Sequence, residues 1–533
     1  MVKIIAGEMK ASHRVAMNTG FLYGKMIITL VIALFSTRLI LGALGEVDYG
    51  IFNLVGGVIA MLSFLNVAMT ISTQRYMSFY LGAEDASKLR SVFTSSISLH
   101  LLIGLSIVII LEVAGIFLFN GFLNIPEERI ATAKIIYHFM VVSTFFTINA
   151  VPYDAAINAH ENFLFDAGVG ILESVIKLII AIVLVYTGSD KLILYGLLMA
   201  LLTILVRIIK GSFCISRYRE CRFTTRLVIK GKLIKEMISF AGWNLFGSFC
   251  TIVRNQGIAV VLNLSFGVVI NAAYAVAHQV NSQLILFSVN MLRSLNPQII
   301  KSEGSGDRSR MLRLAMLACK VSFFLLALFA IPLIIEMEYV LNLWLKDVPE
   351  YTIIFCQLML ILSMTQLLTY GLGTAIQSVG RIKLFQSVVG TTLILNLPVA
   401  IILVSLGFEP YSILIGSIAL EVVAGIMRIL IARKITGLSV KQYLRDVQSR
   451  VVPVAVLAAG AGMVPRLLME TGFLRLVITV TSTTGALLLL GRYLSVNSYE
   501  YGKIKEIILP VVLGIKNKFS KLMPSGADTN KKI

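Results

Sequence analysis

The sequence is poor in charged residues for its length. Asp, Glu, Lys and Arg make up 14% of its 533 residues, against roughly a quarter in ordinary soluble domains. Apolar residues make up 57%, and a water-soluble fold cannot cover so much apolar surface with so few polar side chains. The composition therefore excludes a soluble enzyme and indicates a polytopic membrane protein.

Motifs of catalysis and energy coupling are also missing. The sequence has no G-x-x-x-x-G-K-S/T phosphate loop, no G-x-S-x-G, no H-E-x-x-H and no Cys-x-x-Cys. Its five cysteines have no metal-ligand spacing, so we interpret them as unpaired thiols. We therefore predict a protein that is not an enzyme, with no catalytic residue, no metal and no cofactor. A membrane-embedded polymerase or ligase stays an alternative.

Fourteen apolar stretches are long enough to cross a membrane, for which a helix needs about 20 residues. They lie at residues 17–42, 48–73, 91–119, 130–151, 164–187, 191–213, 237–263, 267–292, 312–336, 351–378, 384–407, 411–432, 451–469 and 472–494. The sequence therefore predicts an all-α polytopic membrane protein with about 14 transmembrane helices.

The loops between these stretches differ in their content of Lys and Arg. If the N-terminus lies inside, the inner segments hold 36 of these residues and the outer loops hold 5. Cytoplasmic loops carry such an excess, so the bias predicts that both termini are cytoplasmic. It also explains the net charge of +19 as a solvated cytoplasmic face, and we predict no nucleic-acid partner.

A constant offset in residue number superimposes several small and basic residues of the two halves of the chain. The matched pairs are Gly20 with Gly242, Gly45 with Gly267, Gly82 with Gly304, and Lys88 with Arg310. Six spans separate the copies, so both copies have the same orientation. The sequence predicts two parallel-repeat lobes of six helices, with two extra C-terminal helices.

These features divide the chain into five segments. We predict an N-lobe at 17–213, an amphipathic cytoplasmic linker at 214–236, a C-lobe at 237–432, a thirteenth and fourteenth helix at 451–494, and a basic cytoplasmic tail at 495–533. Basic and apolar residues mix in the linker, so we expect a helix that lies against anionic membrane lipids.

Ionisable side chains within spans are energetically costly and usually face a bundle interior or a cavity. Lys25 and Arg254 both lie inside the first span of their lobe, with no acidic residue three or four positions away. We predict that they line a central cationic cavity, although buried interhelical contacts are the alternative. The polar residues predicted to line the same cavity are Asn255, Gln256, His278 and Gln279.

Three acidic residues within spans are candidates for ion coupling. Glu112 and Glu421 have no partner nearby in the sequence, so each is either a proton-titrating group or part of an interhelical pair. Glu173 and Lys177 are four residues apart on one helical face, where they can neutralise each other.

Several short segments together resemble a family of bacterial transporters. They are L-G-E-V-D-Y-G-I-F at 44–52, N-A-H-E at 158–161, G-W-N at 242–244, N-A-A-Y at 271–274 and L-N-P-Q-I-I-K at 295–301. The chain resembles the polysaccharide transporter, or O-antigen flippase, branch of the multidrug/oligosaccharidyl-lipid/polysaccharide exporter superfamily, which includes the MATE transporters. The resemblance covers nearly the whole chain.

This resemblance implies an alternating-access flippase of the bacterial inner membrane that moves undecaprenyl-pyrophosphate-linked oligosaccharides. The substrate and the membrane lipids would be its partners, together with a candidate polysaccharide polymerase. Drug-exporting relatives tend to carry an acidic residue, and often a proline bend, in the first helix. This first span has Lys25 and no Asp, Glu or Pro, which favours the flippase over the alternative of a cation-coupled multidrug exporter.

Overall fold

The computed structural model describes residues 11–60, 63–119, 123, 125–188, 190–222, 231–345 and 347–495. Part of the predicted linker, residues 223–230, and nearly all of the predicted tail, residues 496–533, lie outside the described residues. All regular elements of the described residues are helices, as the sequence predicts.

Among the described residues, the first half of the chain forms six α-helices. They are α1 (Ala11–Ala60), α2 (Ser63–Gly82), α3 (Ala86–Phe117), α4 (Ile130–Ala159), α5 (Phe163–Tyr186) and α6 (Lys191–Arg217). Helix α1 contains a kink at Gly45, where φ is 77°, so it contains the first predicted span and the start of the second. Helix α2 completes the second span.

The described part of the second half forms eleven α-helices. They are α7 (Lys232–Phe266), α8 (Val268–Gly304), α9 (Arg308–Ile335), α10 (Met337–Trp344), α11 (Thr352–Val379), α12 (Lys383–Ile394), α13 (Asn396–Ser405), α14 (Ser412–Thr436), α15 (Val440–Tyr443), α16 (Ser449–Leu468) and α17 (Phe473–Leu490). Helices α12 and α13 meet at Leu395 and together correspond to one predicted span.

Twelve helical segments of the described residues are long and apolar enough to cross a membrane. One of them, Met17–Gly57, includes the kink at Gly45 and so covers parts of two predicted spans. Helix α8 corresponds to a further predicted span and is not among the twelve, because polar side chains are spread along it. These two differences account for the fourteen predicted spans, and the all-helical fold class is confirmed.

The backbone repeats its local geometry at the offset predicted from the sequence. Gly45 has φ 77° and ψ 171°, and Gly267 has φ 85° and ψ −175°. Both lie where the first predicted span of a half passes into the second, and both have a positive φ that only glycine adopts without strain. The glycines of the repeat are therefore required by the same turn.

The turn before the third helix of each half repeats in the same way. The Asp85 side chain accepts a hydrogen bond from the backbone N–H of Lys88 at 2.9 Å, and Asp307 accepts one from the N–H of Arg310 at 2.9 Å. Each aspartate caps the N-terminus of its helix, a position that favours a side-chain acceptor. Lys88 and Arg310 are thus equivalent by position in the cap.

Helices pack mainly against others of the same half. In the first half α1 packs on α5 and α4 packs on α3 and α6, whereas in the second half α11 packs on α8, α9 and α14. The halves meet where α2 contacts α7 and α8, and where α1 contacts α8. Helices α16 and α17 pack on α9. The lobe boundaries proposed from the sequence stay predictions.

Candidate functional site

Arg254 lies in the middle of α7, where protein encloses its guanidinium group. Its Nη1 atom lies 3.5 Å from Oε2 of Glu421 on α14. Arg428, two turns after Glu421, donates to Glu421 Oε1 at 2.6 Å and to Thr369 Oγ1 at 3.0 Å. Glu421 is 2% exposed, so its carboxylate is held between two guanidinium groups. We call Arg254, Glu421 and Arg428 the arginine–glutamate triad.

The triad gives Glu421 the interhelical partner that the sequence leaves as one alternative. Its carboxylate is part of an interhelical ion pair, because Arg254 approaches it from another helix and Arg428 approaches from seven residues along its own helix. Neither spacing is the i±3 or i±4 relation by which a helical pair is recognised in a sequence. In this conformation Arg254 also makes a buried interhelical contact, which is the alternative to a cavity-lining position that the sequence leaves open.

The other predicted cavity residues of α7 and α8 have different surroundings. Asn255 Oδ1 accepts a hydrogen bond from Arg254 Nε at 3.1 Å, so this amide helps to orient the guanidinium. Gln256, His278 and Gln279 are exposed. The structure therefore brings Asn255 together with Arg254, and it leaves the other three side chains on the surface of the protein.

Lys25 contacts a buried carboxylate that the sequence analysis did not identify. Its Nζ lies 3.1 Å from Oδ2 of Asp166 on α5. Arg293 Nη2, on α8, lies 3.3 Å from the same oxygen. Lys210 Nζ, on α6, lies 3.9 Å from Asp166 Oδ1 and 2.6 Å from Asp154 Oδ1 on α4. We call these five residues the aspartate cluster; it joins five helices.

The aspartate cluster is difficult to recognise in the sequence because two of its cations lie at or beyond the ends of predicted spans. Lys210 is close to the end of the span 191–213 and Arg293 directly follows the span 267–292, whereas α6 continues to Arg217 and α8 to Gly304. Asp166 is in the first turn of α5, a position at which an aspartate commonly interacts with the helix dipole. Helical patterns longer than one membrane span are the signal that could have found them.

The remaining candidate carboxylates also have partners. Glu112 Oε1 lies 3.0 Å from His138 Nδ1, and both side chains are exposed. Glu173 Oε1 accepts a hydrogen bond from Lys177 Nζ at 2.6 Å, which is the pair expected from their spacing. Glu112 therefore has the interhelical partner that the sequence left as one alternative, and any role of these groups in ion coupling stays a prediction.

A cavity of about 650 Å³ lies between α1, α5, α6 and α8. Most of its walls are apolar, and hydroxyl groups interrupt them. The polar residues among the described lining are Thr29, Ser36, Thr37, Ser174, Lys177, Tyr195 and Gln283. Lys177 is the one charged residue in that lining, and Arg254 and Lys25 do not belong to it. Met26 belongs to the lining, so Lys25 of the aspartate cluster directly precedes a residue of the cavity wall.

In both groups the cations outnumber the carboxylates; the triad is buried, whereas Lys25, Asp154 and Arg293 of the aspartate cluster are partly exposed. The triad contains two guanidinium groups and one carboxylate, and the aspartate cluster contains three cations and two carboxylates. Each group of side chains therefore has one positive charge in excess. A buried excess charge attracts an anionic group and repels a cationic one at short range, because the low polarity of the surroundings strengthens the interaction.

No protein-family model and no curated protein matches the chain. Solved structures of transporters do match it. A MATE protein in the straight conformation has a TM-score of 0.69 at 15% identity, over 80% of this chain and 97% of that chain. An outward-facing multidrug resistance MATE family transporter of the MOP superfamily has a TM-score of 0.64 at 16% identity, over 80% and 95%.

A further match is a MOP superfamily transporter from Pyrococcus furiosus, for which a reverse polarity of the binding pocket suggests a different function. Its TM-score is 0.64 at 15% identity, over 80% of this chain and 95% of that chain. The class that these likenesses define is the fold of MATE and MOP superfamily transporters. The chain therefore has the fold of a multi-pass membrane protein.

Proposed function

We propose that this chain is a transporter that moves oligosaccharides linked to a lipid through a pyrophosphate across the bacterial cytoplasmic membrane by alternating access. The observation that carries the proposal is the lining of the cavity between α1, α5, α6 and α8. Apolar walls suit a lipid chain, hydroxyl and amide groups suit sugars, and the ammonium of Lys177 suits a phosphate. One substrate class combines these three chemistries.

The excess positive charge of the triad and of the aspartate cluster supports the same substrate class. A diphosphate in the apolar interior of a membrane needs nearby cations, since an unpaired charge there is strongly disfavoured. The triad and the aspartate cluster each have one cation more than they have carboxylates. A cationic drug would be repelled by both groups.

Arg254 and Lys25 are the proposed phosphate contacts, assisted by Asn255, Gln256, His278 and Gln279. Each of the two cations now binds a carboxylate, so a phosphate of the substrate would replace that carboxylate as its partner during transport. Lys177 is added to them because it faces the cavity directly. An ion gradient would supply energy through Glu112, Glu173 or Glu421.

The test compares two substrates in vesicles that contain the purified chain. We expect a lipid-linked oligosaccharide to reach the opposite leaflet and a cationic dye not to accumulate. Lys177→Met should lower the rate of oligosaccharide movement about tenfold, since loss of one contact of roughly 1.4 kcal/mol in the transition state has this effect. Lys134→Met is the matched control, because Lys134 is exposed on α4 and outside the described cavity lining.

Each other outcome of this assay contradicts the proposal in a different way. Dye accumulation without oligosaccharide movement would indicate the multidrug exporter. Extension or transfer of the oligosaccharide by the purified chain would indicate the membrane-embedded polymerase or ligase. An equal effect of Lys177→Met and Lys134→Met would remove the cavity from the transport route.

The orientation in the membrane is part of the proposal. Both termini would be cytoplasmic because of the 36-to-5 bias of basic residues. A reporter fused near Asp347 should then be external and one near Arg222 cytoplasmic, and the reverse result at either site would contradict the orientation. Membrane lipids and a polysaccharide polymerase are the proposed partners. Co-purification of the polymerase with this chain from the native membrane tests that partner.

A further inference from the structure

Besides the Arg293–Asp166 contact of the aspartate cluster, two polar contacts join the halves of the molecule at the same end of the helix bundle. The first begins at Arg75 on α2, in the first half. Its Nη2 donates to the backbone carbonyl of Ser378 at 2.8 Å, and its Nε donates to the carbonyl of Gln377 at 3.3 Å. Both carbonyls are in the last turn of α11, in the second half. The last carbonyls of a helix lack intrahelical partners and attract cations.

The surroundings of Arg75 fix it in this position. The side chain is 7% exposed, and its guanidinium carbon lies 4.5 Å from the ring centre of Tyr76 and 4.9 Å from that of Phe79. Gly380 follows α11 with a φ of 88°, and a Cβ atom there would contact the Arg75 guanidinium. The arginine therefore fits closely against the end of α11.

The second contact runs in the opposite sense, from the second half to the first. Glu161, in the turn after α4, accepts hydrogen bonds from Gln298 Nε2 at 2.5 Å and from Lys301 Nζ, both on α8. The Glu161 side chain is fully buried. Arg310 donates to the amide oxygen Oε1 of Gln298 at 3.3 Å, so the amide is held with its nitrogen toward the carboxylate.

The two contacts are related by the internal repeat. In each case the second helix of one half, α2 or α8, binds at the C-terminal end of the fourth long helix of the other half, α11 or α4. Between them α2 and α8 cross so closely that a Cβ on Gly82 would overlap the backbone of Lys301, and one on Gly304 would overlap the carbonyl of Phe79. Phe79 and Lys301 are separated by the same offset as Gly82 and Gly304, so the crossing is symmetric.

At the opposite end, the corresponding polar contacts stay within one half. Arg129, at the start of α4, binds Asp48 and lies 2.9 Å from Asp190 before α6. Tyr351, the equivalent of Arg129 in the repeat, donates its hydroxyl to Glu409 at 2.5 Å. The cavity also extends along α1 toward this end, since its lining includes residues from Met26 to Ile40.

We propose that the Arg75 contact and the Glu161–Lys301 contact are two latches that hold the transport route closed at the end predicted to be cytoplasmic. The structure is then the state closed on that side, and both latches must break before the route opens there. The inference rests on the proposed transport by alternating access, but not on the identity of the substrate. Its test therefore uses no substrate.

Spin labels report the separation of the halves at the latched end. Ser87 and Ser309 are exposed and equivalent in the repeat, and the five native cysteines are buried, so S87C and S309C can be labelled in the full chain. We expect a single short distance in the parent protein. In Arg75→Met, and in the pair-breaking Lys301→Met, the ratio of long to short distances should rise at least about tenfold, or about 1.4 kcal/mol.

Rescue variants separate the latch from a defect in folding. The exchange of Glu161→Lys with Lys301→Glu should restore the short distance, and Arg75→Lys should restore part of it. Arg445→Ala is the control, because its exposed contact with Asp446 lies within the second half. Unchanged distances in folded Arg75→Met and Lys301→Met would overturn the proposal, and so would a long distance in the parent or a failure of the charge exchange to rescue.

Discussion

The contacts within the arginine–glutamate triad predict how strongly three substitutions, one at each residue, destabilise the protein. Glu421→Gln removes the one carboxylate between Arg254 and Arg428 and leaves two buried cations together. Loss of one partner of a buried ion pair typically destabilises a protein by about 3–5 kcal/mol, because the remaining charge has no compensation. Typical domains have about 5–15 kcal/mol of stability, so Glu421→Gln should lose a large share of it.

Arg254→Ala should be milder than Glu421→Gln. The Arg428–Glu421 hydrogen bond of 2.6 Å stays, and the weaker contact of 3.5 Å is the one that is lost. The remaining pair is neutral, so no excess charge is buried. Arg428→Ala should lie between the two, because it removes the shorter contact and also leaves Thr369 without its guanidinium donor.

The assay measures thermal unfolding in detergent for the three variants and, in parallel, transport normalised to folded protein. The expected order of destabilisation is Glu421→Gln, then Arg428→Ala, then Arg254→Ala. Equal destabilisation by Arg254→Ala and Glu421→Gln would refute the reasoning from charge balance. Unchanged normalised transport in Arg254→Ala would refute its proposed role as a phosphate contact, while Arg254→Lys should keep part of the transport.

Three further predictions concern other parts of the fold. Glu336→Gln should loosen α17 and raise its hydrogen exchange, because Arg475 binds the buried carboxylate at 2.8 Å and Thr479 donates to it at 3.0 Å; unchanged exchange would contradict this anchor. Gly267→Ala should lower the melting temperature more than Gly242→Ala does, because Gly267 has φ 85° and ψ −175°, a region in which alanine is strained by about 1–3 kcal/mol. Burial raises the pKa of Asp190, but the N–H groups of Ile193 and Leu192 and the Arg129 guanidinium outweigh this and hold the pKa below its ordinary value. Its stabilisation is thus complete above about pH 4 and lost as the pH falls through the lowered pKa; Asp190→Asn should remove this part of the acid dependence of the melting curve.

The sequence alone determined the helical membrane fold and its internal repeat. Both follow from local sequence patterns. These are apolar runs of the length of a membrane span, and glycines such as Gly45 and Gly267 at turns that need a positive φ. These patterns act over a few tens of residues, so they can be read without knowing which helices touch. The offset between the two halves was visible for the same reason, since equivalent turns need equivalent residues.

The tertiary structure decided the partners of the charged side chains. The sequence showed that Arg254 and Lys25 are costly inside a span, but their carboxylates, Glu421 and Asp166, come from helices that are far away along the chain. Charge pairing depends on which helix faces meet, and no local pattern specifies this. Arg293 lies just outside the predicted span 267–292 because hydropathy indicates where the membrane ends, whereas the hydrogen-bonded helix α8 continues to Gly304.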